Sequence, residues 1–170
     1  MRAYRAKDMA DSKADLLAGA GGLVTDEAQS DHQGRKALLL VRNNEDCDEF
    51  IALAKTMGIN IVDRVDQRGR SDAKWFLGQG KLQDVNEELR STSHGHPWND
   101  VDLLLLHTNA TPRQLVGVND AVGIEVWDRV RLLLALFTAH ASSVEARTQV
   151  RIARLQSDRT VLREVVKQQT

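Results

Sequence analysis

From Lys36 onward the sequence alternates short apolar runs with helix-like stretches, and this alternation constrains the fold more than any other feature. Ala37-Leu38-Leu39-Leu40-Val41 is a continuous apolar run of strand length. A strand with apolar side chains on both faces belongs in a sheet covered on both sides, as parallel strands are in α/β proteins. Phe50, Leu53, Ala54 and Met57 then recur at helical spacing until Gly58 supplies a C-cap, which completes one βα unit. Ile59 to Val65 is rich in β-branched residues and reads as a second strand. Lys81 to Arg90, with Leu82, Val85 and Leu89 on one face, reads as a second helix, and Val101 to Leu106 as a third, buried strand.

Thr111-Pro112-Arg113-Gln114 has the chemistry of a helix start. Thr111 caps, Pro112 occupies the first turn where its missing N–H costs little, and Gln114 closes a capping box. Gly123 ends that helix, and Ile124-Glu125-Val126-Trp127 is a short fourth strand. The expected class is α/β, a small four-stranded parallel sheet flanked by helices over residues 35–128, with a strand order that the pattern does not fix. Residues 1–34 mix charge, Ala, Gly and Ser around Gly19-Ala20-Gly21-Gly22 and are expected to form a flexible N-terminal arm.

Neither Gly nor Pro occurs from Arg129 to Thr170, so residues 129–170 are expected to form one long, basic, coiled-coil-like C-terminal helix. Leu134, Phe137, Ala141, Val144, Thr148, Ile152, Leu155, Arg159, Leu162 and Val166 follow steps of three or four and mark its seam. At 1.5 Å per residue such a helix is about 60 Å long and must project beyond so small a sheet. Its stripe therefore calls for a partner, and a homodimer through this helix is the expected arrangement.

Charge divides at the same point. Residues 1–128 hold 15 Lys and Arg against 21 Asp and Glu, whereas residues 129–170 hold 8 against 3. A basic segment on an acidic body suits either contact with a polyanion or a solvated helix face. Cys47 is the single cysteine, which excludes an intrachain disulfide. No apolar run approaches the roughly 18 residues of a membrane span, so no membrane partner is expected and the location is read as cytoplasmic.

Several local patterns carry possible chemistry. In Trp75-Phe76-Leu77-Gly78-Gln79-Gly80-Lys81, the glycines can turn backbone N–H groups toward an anion at a helix start beside Lys81. The spacing is not that of a P-loop, and Leu82 stands where a magnesium ligand would follow the lysine, so Gly78, Gly80 and Lys81 are either a structural turn or an ATP or GTP site. His94-Gly95-His96 offers two imidazoles without a Cys or carboxylate cluster at ligand spacing, and no metal site is assigned. His107 and Asn109 follow the third strand, a position where α/β folds often place functional groups. The pattern yields no catalytic residue. Arg147, Arg151 and Arg154 recur at i, i+4 and i+7, with Arg159 and Arg163 on an adjacent track, a spacing that can meet successive phosphates of RNA.

Taken in order, these motifs resemble the N-terminal domain of the HflX-type GTPases over about Ala37 to Leu155. The resemblance rests on Asp66-Gln67-Arg68, on Phe76-Leu77-Gly78-Gln79-Gly80-Lys81-Leu82, on Thr111-Pro112-Arg113-Gln114-Leu115, and most specifically on Val126-Trp127-Asp128-Arg129 through Ala141 with the following Glu145 and Gln149-Val150. Val130, Ala135 and His140 depart from the family's Thr, Asp and Arg. The resemblance implies a parallel α/β subdomain, two long antiparallel helices and a Ras-like G domain. It also implies binding to the large ribosomal subunit and its rRNA. This sequence carries no Walker A motif, so GTP and magnesium are expected in a G domain outside it, supplied in trans if at all. The chain itself is expected to bind without hydrolysing and to need no cofactor of its own.

Overall fold

The computed structural model describes residues 32–169. Four strands, β1 (Lys36–Arg42), β2 (Asn60–Gln67), β3 (Val101–Leu106) and β4 (Glu125–Trp127), alternate with helices α1 (Asp48–Thr56), α2 (Gln79–Arg90) and α3 (Pro112–Val122). Helices α4 (Arg129–His140) and α5 (Val144–Gln169) follow. The sheet is parallel throughout, in the order β2-β1-β3-β4. The chain runs outward from β1 to the edge strand β2, then crosses back to β3, so the direction of winding reverses between β1 and β3.

Alternation along β1 explains its unbroken apolar run. Leu38 and Leu40 join Leu104, Leu106, Leu82, Val85, Leu115 and Val118 in the core beneath α2 and α3. Ala37, Leu39 and Val41 face the other way and pack with Leu103, Leu105, Phe50, Ala54, Trp127 and Leu132 beneath α1 and α4. All five apolar residues of β1 are 0% exposed, which only a sheet covered on both faces permits.

The helix ends follow the expected chemistry. The Thr111 Oγ1 accepts from the Gln114 N–H at 3.1 Å, the Gln114 Oε1 accepts from the Thr111 N–H at 3.0 Å, and Pro112 begins the helix. Gly123 closes α3 in the left-handed region at φ +80°, which a side chain would strain. The N-terminal arm expected over residues 1–34 lies outside the described residues except for 32–34, where the Gly34 N–H donates to the Gly58 carbonyl at 2.8 Å. Among the described residues no helix is long and apolar enough to cross a membrane.

The long C-terminal helix is present, but residues 129–170 are not one continuous helix. Ala141 adopts an extended conformation at ψ 110°, and Ser143 caps a new helix by accepting the Ala146 N–H at 3.0 Å. Serine is only a mild helix breaker, so periodicity without Gly or Pro conceals the break. The break lets α5 return along α4 and reach α3, and Val161 and Val165 enter the α3 side of the core. The buried face of α5 is therefore Asp158, Val161 and Val165 rather than the expected seam. Phe137, Val144, Ile152, Leu155, Leu162 and Val166 remain exposed.

A buried ion pair fastens this return. Arg131 Nη2 donates to Asp158 Oδ1 at 2.9 Å, with the two side chains 2% and 4% exposed. Burial pushes the Asp158 carboxyl above its usual range, against the pull of Arg131. Asp158→Ala, which removes the carboxylate paired with a buried guanidinium, is expected to cost about 3–5 kcal/mol in urea denaturation. The double variant Arg131→Met with Asp158→Leu is expected to recover most of that loss.

Candidate functional site

The motifs singled out in the sequence lie toward the C-terminal edge of the sheet. They first serve to hold the segment between β2 and α2, residues 68–78. Asp72 and Phe76 pair through two backbone hydrogen bonds of 3.0 and 3.1 Å, and the Asp72 carboxylate accepts the Lys74 and Trp75 N–H groups at 2.7 and 2.8 Å. Those two bonds hold its carboxyl below the usual range. Phe76 is forced to φ +62°, and its buried ring anchors the strained turn in the core.

Each flanking element contributes a tie. Arg42, at the end of β1, donates through Nε to the Phe76 carbonyl at 2.8 Å and through Nη1 to the Arg68 carbonyl at 3.2 Å. Gln67 accepts the Gly78 N–H at 2.6 Å, and a Cβ on Gly78 would press against that same amide at 3.1 Å. From α3, Gln114 Nε2 donates to Ser71 Oγ at 2.9 Å and to the Asp72 carbonyl at 2.7 Å. Asp128 accepts Ala110 N–H and Arg131 N–H, both at 2.9 Å, and so joins the start of α4 to the loop before α3. Burial pushes the Asp128 carboxyl up, against those same bonds.

Between these ties lies a cleft of about 600 Å³ at the point where the winding reverses. In open α/β sheets ligands bind at such a point. Arg42, Arg70, Arg129, His107 and Ser71 are among the residues that line it. His107 is buried and bridges two charges, with Nδ1 2.9 Å from Glu45 Oε2 and Nε2 3.2 Å from Arg129 Nη2. A guanidinium only donates, so Nε2 is the side of the ring that faces the Arg129 donor, and Nδ1 faces the Glu45 carboxylate. The imidazole is thus held between Glu45 and Arg129 at the wall of the cleft.

The residues singled out by the sequence are distributed as follows. His107 and Asn109 line the cleft. Gly78, Gly80 and Lys81 begin α2 outside its lining, with the Gly78 N–H already given to Gln67 and nothing within 4 Å of a Cβ placed on Gly80. His96 accepts the Trp98 N–H and lies 3.3 Å from Glu88, and the described residues hold no group of three or more His, Cys, Asp or Glu that could take a metal. Arg147, Arg151, Arg159 and Arg163 are exposed on α5, but Arg154 turns inward beside Asp158 and Arg131. Burial, reinforced by the positive charges of Arg131 and Arg151, lowers the Arg154 pKa. The five arginines are therefore two exposed pairs on different tracks and one inward residue. Arg42, Asn43, Arg70 and Arg129 escaped sequence reasoning as site residues. They meet only because β1 and β3 are neighbours.

This fold is a small parallel α/β domain with a helical hairpin, bearing a polar cleft at its strand ends. The profile described as "GTP-binding GTPase N-terminal" matches residues 44–138, more than half the chain, and the protein belongs to that family. Its curated relatives are of the HflX type. It is 31% identical to GTPase HflX of Hyperthermus butylicus over 119 residues, covering 70% of this chain and 30% of that protein. It is 27% identical to GTPase HflX of Thermococcus kodakarensis over 119 residues, covering 70% and 25%. The chain thus spans about a quarter to a third of the length of these relatives. A GTP-binding protein from Sulfolobus solfataricus, solved in complex with GDP, shares the fold with a TM-score of 0.61 at 23% identity, over 78% of this chain and 40% of that one.

One close approach makes the site testable. The β2–α2 loop crosses α3 at Gly117, where a Cβ would collide with the Lys74 carbonyl oxygen. Gly117→Ala is expected to destabilise the domain by roughly 3 kcal/mol or more. Hydrogen exchange is expected to show residues 71–76 losing protection first.

Proposed function

We propose that this domain is an HflX-type ribosome-binding module that contacts the large subunit and its rRNA without performing hydrolysis itself. The observation that carries this reading is the set of exposed arginines Arg147, Arg151, Arg159 and Arg163 on α5, a helix that emerges from an otherwise acidic body. Such side chains neutralise backbone phosphates, position a protein on RNA and read no sequence. Family membership supports the same reading. The GTP binding that names the relatives would reside in a G domain acting together with these residues.

The test is co-sedimentation of the purified chain with large ribosomal subunits across a salt series. Binding at low salt is expected to fall steeply as salt rises, because each neutralised phosphate releases counterions. Replacing Arg147, Arg151, Arg159 and Arg163 together by alanine is expected to weaken binding and flatten the salt dependence. Arg154→Ala should instead act through stability. A folded protein that fails to sediment with subunits at low salt would overturn the proposal.

A second reading concerns the exposed apolar track on α5 formed by Val144, Ile152, Leu155, Leu162 and Val166. It supports self-association through α5, or the docking of a G domain there, and either would bury apolar area that water now covers. Light scattering across micromolar concentrations is expected to show a dimer that Ile152→Glu dissociates.

A further inference from the structure

We propose that the cleft between the ends of β1 and β3 binds the phosphate group of a small phosphorylated ligand. This site is separate from the α5 arginines and goes beyond the ribosome-binding reading.

The two ends of the sheet differ in how they treat charge. At the N-terminal edge Arg35 is matched by carboxylates, with Glu125 at 2.6 Å and Asp102 at 3.2 Å. At the C-terminal edge Arg42, Arg70 and Arg129 arrive from β1, the β2–α2 loop and α4, and none forms an ion pair with a carboxylate among the described residues. The one carboxylate lining the cleft, Glu45, is held by His107. Three arginines against one carboxylate line the cleft, although residues 1–128 as a whole are acidic. Asp72 lies close enough to Arg42 for their charges to interact, yet three arginines still outnumber the carboxylates around them, and such an excess suits an anion.

The donors are also in place before a ligand arrives. Arg42 is 8% exposed and fixed by its bonds to Phe76 and Arg68, and its Nη2 donors have no partner among the described residues. Ser71 Oγ already accepts from Gln114 Nε2, so its own proton is left to donate. Arg129 uses one guanidinium bond on His107 and its backbone N–H on the Thr108 carbonyl, and it keeps further donors for a ligand. Arg70 is exposed and engages no side chain among the described residues, so it can close over the anion. Planar guanidinium groups fit phosphate oxygens two at a time, and a single bonded carboxylate supplies no metal cage. A volume near 600 Å³ suits a small molecule rather than a folded partner.

The experiment is isothermal titration of the full chain with inorganic phosphate and with glycerol 3-phosphate, against chloride at matched ionic strength. Saturable binding of either probe is expected. Arg70→Ala, at an exposed position outside the core, should weaken it about tenfold or more, the worth of a charge-assisted bond. Arg147→Ala on α5 should leave it unchanged. No saturable binding, or wild-type binding by Arg70→Ala, would overturn the proposal. So would an eight-nucleotide RNA that binds the cleft when neither small probe does, since that assigns it to an RNA backbone. Ribosome sedimentation is read through different arginines, so either proposal can fail while the other stands.

Discussion

The central strands β1 and β3 bury both of their faces, and the rest of the molecule is arranged around that fact. Leu38 to Leu40 and Leu103 to Leu106 are 0% exposed, so no side chain in the middle of the sheet is available for binding. Functional groups can come only from strand ends, from the loops that leave them, or from the outer faces of the helices. The same burial demands two layers of helix, with α1 and α4 on one side and α2 and α3 on the other. Helix α5 is an addition to this sandwich, held at its base by Arg131 and Asp158.

The motifs on which the family resemblance rests are largely occupied in holding geometry. Gln67 holds Gly78, Gln114 holds residues 71 and 72, and Asp128 ties α4 to the approach of α3. These are hydrogen bonds between segments distant in the sequence, and each satisfies a backbone or amide group that the turn would otherwise leave without a partner. Their combined effect is to keep a strained loop, with Phe76 at positive φ, beside the ends of β1 and β3. Arg42 does two things there, since it fixes the loop and lines the cleft. A fold that must hold such a loop rigid is well suited to recognition, because a preorganised site loses little freedom when it binds.

Helix α5 has two roles that pull against each other. Its inward face must neutralise Arg131 and feed Val161 and Val165 to the core, while its outer surface presents arginines and an apolar track to water. Arg154 shows the conflict most clearly. It belongs to the same helical series as Arg147 and Arg151, yet it lies against Asp158 and Arg131, where burial weakens its hold on the proton. A series of basic residues on a helix is thus a surface only as far as the neighbouring helix leaves it open.

The sequence by itself determined the parallel α/β class, the four strands, the capping box at Thr111 and the turn at Gly123, because apolar periodicity and cap chemistry are local. It also carried the motifs on which the family resemblance rests. Only the tertiary structure decided the order β2-β1-β3-β4, and with it the cleft, since Arg42, Arg70, His107 and Arg129 are separated in sequence and meet through strand neighbours that no local pattern specifies. It likewise decided the break at Ala141 to Ser143, whose local signal is weak, and the inward turn of α5. Those outcomes depend on burying Val161 and Val165 and on pairing Arg131 with Asp158, energies that exist only once the helices are packed together.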